Sequence, residues 1–472
     1  MAGIGFELKK LYRKKGLFFG ARALFYSSFT IIGPQLMILC LLTAFRALLG
    51  TLDLGYGDYN LFMASVLYPL LFSQVVTSGF AMMLTRYTAD SLYTHKLENI
   101  LPSLYGAVGI CLPVGAAAAV LFLWPSPVAF WTKAATYLIF LLSICMWLQM
   151  VYLSALRDYR KIALSFLVGM SAAILCGCLL IRFTRAAPVT ALLYTFAGGL
   201  LLINGAMFFF IRGFFRDTEQ GEKAGYFAFL KGFRFYPQLF FIGLFYTLSL
   251  YVHNFLFWGS GLQSVVWHTY YIANAYDTPT FFAFLSILPT CVLFPVHMET
   301  EFYGAYRQYY TQITQGGNYS EIASARKGMT ATLWQELFHV MELQLFISVF
   351  YIVLGNYVLP YFGLTGSMVN TFASLTMGAY CSISMYLAVL LDLYFENRRG
   401  ALLSVTVFLA ANVILTVCSL QMGEDYYGTG YLAASFLALS VSLLNMDRFL
   451  RRIDFITFCS QPPFVTRQEG GR

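Results

Sequence analysis

Apolar residues in this chain neither alternate nor form narrow helical stripes. They come in unbroken runs of roughly 20 residues from one end to the other, divided by short polar stretches. A run of that length crosses a ~30 Å hydrocarbon core as a helix. In lipid every backbone amide must be satisfied within the protein, and non-alternating runs achieve this as helices. The pattern predicts spans near 24–48, 60–83, 101–123, 128–153, 162–182 and 190–211. A second set is predicted near 235–257, 279–297, 343–362, 368–394, 401–420 and 429–446. The expected fold is an all-α polytopic membrane protein, with about twelve transmembrane helices in two six-helix lobes.

The breaks between runs carry further structure. RGFFRDTEQGEKAGYFAFLKG (212–232) is the most polar stretch between the two sets and reads as a linker over 212–234. It divides an N-lobe (24–211) from a C-lobe (235–447). Paired lobes place a substrate path at their interface in many transporters. Within 298–342, Phe302, Tyr306, Tyr309 and Ile313 fall at helical spacing, and Gly316-Gly317 ends that helix. Asn318 then reads as an N-cap with Glu321 three residues on, and Ile322, Met329, Leu333, Leu337 and Val340 continue into the next span. The expectation is a helical hairpin on the inner membrane face, serving either as an interfacial connector or as a docking surface.

The opening MAGIGFELKKLYRKKG puts Ile4, Leu8, Leu11 and Tyr12 on one helical face and Lys9, Lys10, Arg13 and Lys14 toward the other. Residues 1–23 thus read as a short basic amphipathic helix in the headgroup plane. The run after it is span-length and lacks a small-residue cleavage site, so it is expected to be retained.

Composition agrees with the pattern. Only 11% of the 472 residues are charged, against about 25% in soluble domains, and mean hydropathy is +0.68. The net charge of +8 is not clustered on a module that would bind nucleic acid. It reports topology instead. With the N-terminus inside, all but four of the 30 Lys and Arg residues fall on the inner side; the exceptions are Arg46, Lys133, Arg182 and Arg185. The positive-inside rule then puts both termini, including a basic tail at 448–472, in the cytoplasm, with the chain in the cytoplasmic (inner) membrane. The nine cysteines lie mostly inside apolar runs, without metal spacing, and read as packing residues.

Several segments resemble the PelG family of exopolysaccharide transporters: MAGIGFEL, NFLFWGSG (254–261), YDTPTFFAFLSILPT (276–290), HMETEF (297–302), QGGNYSEI (315–322), LDLYFENRR (391–399) and YYGTGYLAA (426–434). They occur in family order over nearly the whole chain. The resemblance implies a MATE/flippase-like fold. It also implies transport of Pel, a polymer rich in N-acetylgalactosamine, together with a PelF-like cytosolic glycosyltransferase and PelD- and PelE-like membrane proteins. Lys9, Lys10, Arg13 and Lys14 and the 298–342 hairpin would then be docking surfaces for such partners. It supplies no list of transport residues.

Candidate path residues therefore rest on chemistry. Sugar rings stack on aromatic faces, and their hydroxyls need polar partners. Tyr246, Tyr251, His253, Trp258, Trp267, His268, Tyr270, Tyr271 and Tyr276 crowd the outer part of span seven and the loop after it. This cluster is either an aromatic belt at the headgroups or a sugar-stacking exit mouth. His253 is either a satisfied core histidine or a pathway residue. Asp277 is either a helix cap or a hydroxyl-binding gate. Arg46 lies near the outer end of span one, with Asp53 and Asp58 as possible partners.

On the inner side, Arg86 and Asp90 are spaced for a local ion pair. Glu299 and Glu301 follow span eight. Glu336, His339 and Glu342 share one face at the start of span nine, as a solvated face or a polar vestibule. Asp392 and Glu396 end span ten with the same alternatives. No metal site and no cofactor are expected. No nucleophile–base pair, phosphate loop or dinucleotide fingerprint is present, so enzyme chemistry is not expected. Two other functions remain open: a small-molecule (multidrug-type) antiporter, and a non-conducting membrane scaffold for the glycosyltransferase.

Overall fold

The computed structural model describes residues 32–52, 55–156, 159–183, 187–215 and 225–459. Lys9, Lys10, Arg13 and Lys14, Asp53, residues 216–224 of the linker and the end of the tail lie outside the described residues. Among the described residues, twelve helices are long and apolar enough to cross a membrane. Each overlaps one predicted run.

The first half contains α1 (Gly33–Gly50), α2 (Tyr56–Tyr93), α3 (Ile100–Leu123), α4 (Phe130–Ala155), α5 (Tyr159–Phe183) and α6 (Pro188–Phe215). The second begins with α7 (Pro237–Trp258), a hairpin of β1 (Ser264–Val266) and β2 (Tyr270–Ile272), α8 (Asn274–Leu285) and α9 (Leu288–His297). It continues with α10 (Tyr303–Thr314), α11 (Tyr319–Val358), α12 (Gly366–Tyr394), α13 (Arg398–Met422), α14 (Thr429–Arg451) and α15 (Ile453–Cys459). Prolines open α1 and α7 at positions where a helix has no use for the missing N–H.

Each half has its own apolar core, one running from Leu41 to Phe229 and the other from Leu239 to Ile453. The halves also exchange residues. Val266 and Tyr270 of the β-hairpin are buried in the first core, and Met83 of α2 is buried in the second. These exchanges mark the two ends of the seam between the halves. Along it α2 packs antiparallel on α7. Two glycines permit the close approach: a Cβ on Gly243 would overlap the Ser78 carbonyl, and one on Gly79 would overlap the Phe240 ring.

The predicted span eight is broken between α8 and α9, at Ser286–Ile287, ahead of Pro289. A broken helix in lipid needs substitute donors for the freed carbonyls. Gln344 of α11 supplies one, its Nε2 donating to the Ser286 carbonyl at 3.0 Å, while Thr290 donates to its Oε1.

Two helices joined at Gly316-Gly317 occupy the region expected as a hairpin at 298–342. A π-helical turn (Met298–Phe302) joins α9 to α10, and α11 is one helix of 40 residues. At 1.5 Å per residue α11 is about 60 Å long, twice the hydrocarbon thickness. Because α11 runs unbroken into its span, its first half projects beyond the bundle. Its start is the expected capping box: Asn318 Oδ1 accepts from the Glu321 amide at 3.0 Å, and Glu321 Oε2 accepts from the Asn318 amide at 2.9 Å. Asp454 of α15 holds the projection, accepting from Tyr309 at 2.9 Å and pairing with Arg326 at 2.5 Å.

The aromatic loop after α7 is a β-hairpin, which the sequence pattern did not predict. Ser264 pairs with Ile272 and Val266 with Tyr270. Three residues, Trp267 to Thr269, form the loop; Trp267 (φ 48) and His268 (φ 50) are both left-handed, and the Thr269 amide donates to the Val266 carbonyl at 3.1 Å.

Candidate functional site

The seam ends in a different kind of contact at each side. At the β-hairpin end, aromatic side chains from both halves form one wall. Tyr68 of α2 stacks on Trp258 of α7 with ring centroids 4.9 Å apart and 9° between planes. One turn on, Phe72 stacks on Phe255 at 5.4 Å and 4°. Tyr270 of β2 meets Tyr68 edge-on at 5.1 Å, and Phe122 of α3 closes the group 5.9 Å from each. The Tyr68 hydroxyl ties the hairpin down, donating to the Tyr271 carbonyl and accepting from the Tyr271 amide at 2.9 Å.

Asp277 sits at the edge of this wall, in the first turn of α8. Its carboxylate accepts from the Asn254 amide at 2.8 Å, the Trp258 indole N–H at 2.8 Å and the Ala273 backbone N–H at 2.8 Å. The bond to Ala273 caps α8, and the other two orient the wall. All three donors are neutral. The indole N–H is shared between the two oxygens, reaching the other at 3.1 Å, so the carboxylate is held on both sides with no cation among its donors. Further along the seam, Tyr251 donates to Gln74 Oε1 at 2.5 Å; behind it, within the first half, Trp147 donates to Ser73 at 3.0 Å.

Other outer candidates fall elsewhere. His253 is fully buried inside the second half, its Nδ1 2.9 Å from the Tyr276 hydroxyl and its ring 4.4 Å from that of Tyr431. It is a core histidine with a tyrosine hydroxyl as its side-chain partner. Tyr246 stacks on Tyr386 at 4.1 Å in the same half. Trp267 is exposed at the hairpin tip. Arg46 lies over the Tyr59 ring at 5.2 Å instead of pairing with Asp58.

At the opposite end, beside the α10–α11 projection, the contact across the seam is ionic. Arg86 makes the predicted pair with Asp90 at 3.1 Å, and also reaches Glu396 of the other half at 2.8 Å. Arg398 pairs with the second Glu396 oxygen at 3.0 Å. The Tyr236 ring lies under both guanidiniums, at 5.6 Å from Arg86 and 4.2 Å from Arg398. Burial raises the Glu396 carboxyl, and the two arginines more than offset it, so it titrates below its ordinary value. Its pairing is therefore complete at neutral pH and is lost only as the pH falls through that lowered value.

Asp392 differs from Glu396, although they stand one turn apart in sequence. It is 1% exposed and bonds to Asn397 and Asn445. Glu336 pairs with His297 at 2.8 Å, and the His339 ring lies 5.3 Å from His297. No group of three metal-ligating side chains occurs among the described residues. Glu301 and Glu342 are exposed, and Glu299 lies in the π-helical turn.

Sequence reasoning missed Tyr68, Phe72, Phe122, Gln74, Asn254, Tyr236 and Arg398. Asn254 lies in the NFLFWGSG segment and Arg398 in LDLYFENRR, so the family segments were the available signal for these two. Nothing distinguishes Tyr68, Phe72 or Phe122 from the many other span aromatics.

The family described as "PelG: Putative exopolysaccharide Exporter (EPS-E)" matches residues 1–458. No curated protein matches. Solved structures with a similar fold are MATE transporters. A MATE in the straight conformation is 10% identical, with TM-score 0.57 over 92% of this chain and 96% of that one. The MATE transporter ClbM in complex with Rb+ is 12% identical, with TM-score 0.56 over 92% and 96%. The Vibrio cholerae MATE transporter VcmN in the bent form is 12% identical, with TM-score 0.56 over 92% and 97%. At these identities the likeness establishes the fold. A multi-pass bundle of MATE architecture, matched almost from end to end by one family, identifies this chain as a member of the PelG family of exopolysaccharide exporters.

Proposed function

We propose that this protein moves a Pel-type, N-acetylgalactosamine-rich polysaccharide across the cytoplasmic membrane along the seam between its halves. The β-hairpin end faces outward. The termini and the α10–α11 projection face the cytoplasm, as the positive-inside bias favours. A PelF-like glycosyltransferase and PelD- and PelE-like membrane proteins are its partners, and the basic N-terminal segment and the projection are the surfaces offered to them.

The observation that carries this reading is the wall of Tyr68, Trp258, Phe122 and Tyr270 with Asp277 at its edge. Flat aromatic faces suit the apolar faces of pyranose rings. A carboxylate held only by neutral donors keeps its full charge at the edge of the wall, which suits sugar hydroxyls. A non-conducting scaffold has no use for aromatic and polar pairs such as Tyr251–Gln74 along the seam, where aliphatic packing would serve.

The test is made in cells whose synthase is active. Without this chain, released polysaccharide falls to background while sugar-nucleotide consumption continues or polymer accumulates inside. Undiminished release without the chain would overturn the proposal.

A further inference from the structure

The LDLYFENRR turn between α12 and α13 has a structure that its transmembrane neighbours do not require. Asp392 is a buried carboxylate with no cation beside it. Its Oδ1 accepts from Asn397 Nδ2 at 2.8 Å and its Oδ2 from Asn445 Nδ2 of α14 at 3.3 Å. Its carbonyl accepts from the Asn397 amide at 2.7 Å. Asn397 then caps α13, its Oδ1 accepting from the Gly400 amide at 3.3 Å. A Cβ on Gly400 would overlap the side-chain amides of both Asn445 and Asn397. A buried carboxylate is costly, and a hydrophobic residue would pack the same space more cheaply. What the carboxylate adds is a fixed course for residues 395–398.

That course places Glu396 in the left-handed region at φ 62, which a side chain bearing a Cβ resists. The consequence is directional. Glu396 leaves the second half and meets Arg86 of the first at 2.8 Å, while Arg398, two residues on, holds its other oxygen. Tyr236, immediately before α7, fills the space under both guanidiniums. Three chain segments, α2, the residues just before α7 and the α12–α13 turn, thus meet around one carboxylate at the mouth of the α2–α7 seam.

We propose that Glu396 and Arg86 form a clasp that closes the seam at the projection end, and that Asp392 is its positioning residue, acting through Asn397 to hold Glu396 in place. Parting of the halves at this end breaks the Arg86–Glu396 pair, whereas Arg398 and Tyr236 keep Glu396 and Arg86 neutralised or covered. The inference deepens the transport reading by naming what holds the seam shut. Its test reads closure in the absence of any polysaccharide, so a failure of the polymer assignment leaves it standing.

Ser78 reports on the seam. It is 8% exposed, with its carbonyl against Gly243 of α7. In a chain whose native cysteines are replaced, Ser78→Cys is labelled in membrane vesicles by a charged, membrane-impermeant maleimide applied from the projection side. Arg86→Ala, Glu396→Gln and Asp392→Ala each raise the initial labelling rate about two- to fivefold, the range an exposed ion pair supports. Combining Glu396→Gln with Asp392→Ala gives no more than the larger single effect, because both act through one contact. Should Asp392→Ala fold poorly, Asn397→Ala serves in its place, since it frees the turn without emptying a buried site. Labelling at the parental rate in Arg86→Ala and Glu396→Gln would overturn the clasp. Rates that multiply in the double variant would overturn the positioning role of Asp392.

Discussion

Asp277→Ala abolishes polysaccharide release while the protein remains in the membrane. The carboxylate is the shared acceptor for the Asn254 amide, the Trp258 indole and the Ala273 backbone N–H. Alanine leaves all three donors without a partner, and each unsatisfied buried group costs about 1–3 kcal/mol. The local structure evades that cost by moving, so Trp258 leaves its stack on Tyr68 and the start of α8 loses its cap. Asp277→Asn keeps the size of the side chain and one acceptor oxygen, and it is the milder change. Trp258→Ala removes the stack itself, worth about 0.5–1.5 kcal/mol beyond its buried area. It lowers release about tenfold, since the ring contributes both to the wall and to the surface offered to sugar. Released polymer per unit of membrane-inserted protein is the quantity to measure. Parental release from Asp277→Ala would remove this site from the path.

The second large effect is at the middle of the seam. Gly243→Val places two methyl groups where the α2 backbone carbonyl of Ser78 lies. Backbone cannot yield as a flexible side-chain tip can, and such overpacking typically costs 1–3 kcal/mol, here concentrated on the contact between halves. We expect a lower melting temperature in detergent, by several degrees, together with loss of release. Gly205→Val is the matched control: a Cβ at Gly205 meets nothing within 4 Å. If both variants behave like the parent, α2 and α7 do not pack as closely as described.

The spans were legible because length and hydropathy are direct consequences of the lipid; each predicted run overlaps a membrane-length helical segment, although span eight is broken into α8 and α9. Their ends were less so. A pattern that stops at residue 83 reports where apolarity stops, whereas α2 continues to Tyr93 because a helix can leave the membrane without changing its hydrogen bonding. The β-hairpin was missed for two physical reasons. Its strands are three residues each, too short for alternation to register, and its loop is Trp267-His268-Thr269, which has none of the usual Asn or Gly.

The site was legible only as a neighbourhood. With 46 Phe, 33 Tyr and 6 Trp, the chain does not say which rings meet. Trp258 and Asp277 stood out by position, while their partner Tyr68 lies in another half and looks like any span aromatic. The ionic end follows the same rule. Arg86–Asp90 is local and could be read from spacing. Arg86–Glu396 depends on a left-handed residue that no periodicity announces.

The central claim is that polymer crosses the membrane through this chain. The direct measurement reconstitutes it in liposomes with a PelF-like synthase and UDP-N-acetylgalactosamine, both supplied on the projection side only. The account predicts polymer inside the vesicles, protected from an added glycoside hydrolase, and its loss when Asp277→Ala replaces the parent chain. Polymer that is synthesised and stays wholly accessible to the hydrolase would contradict it.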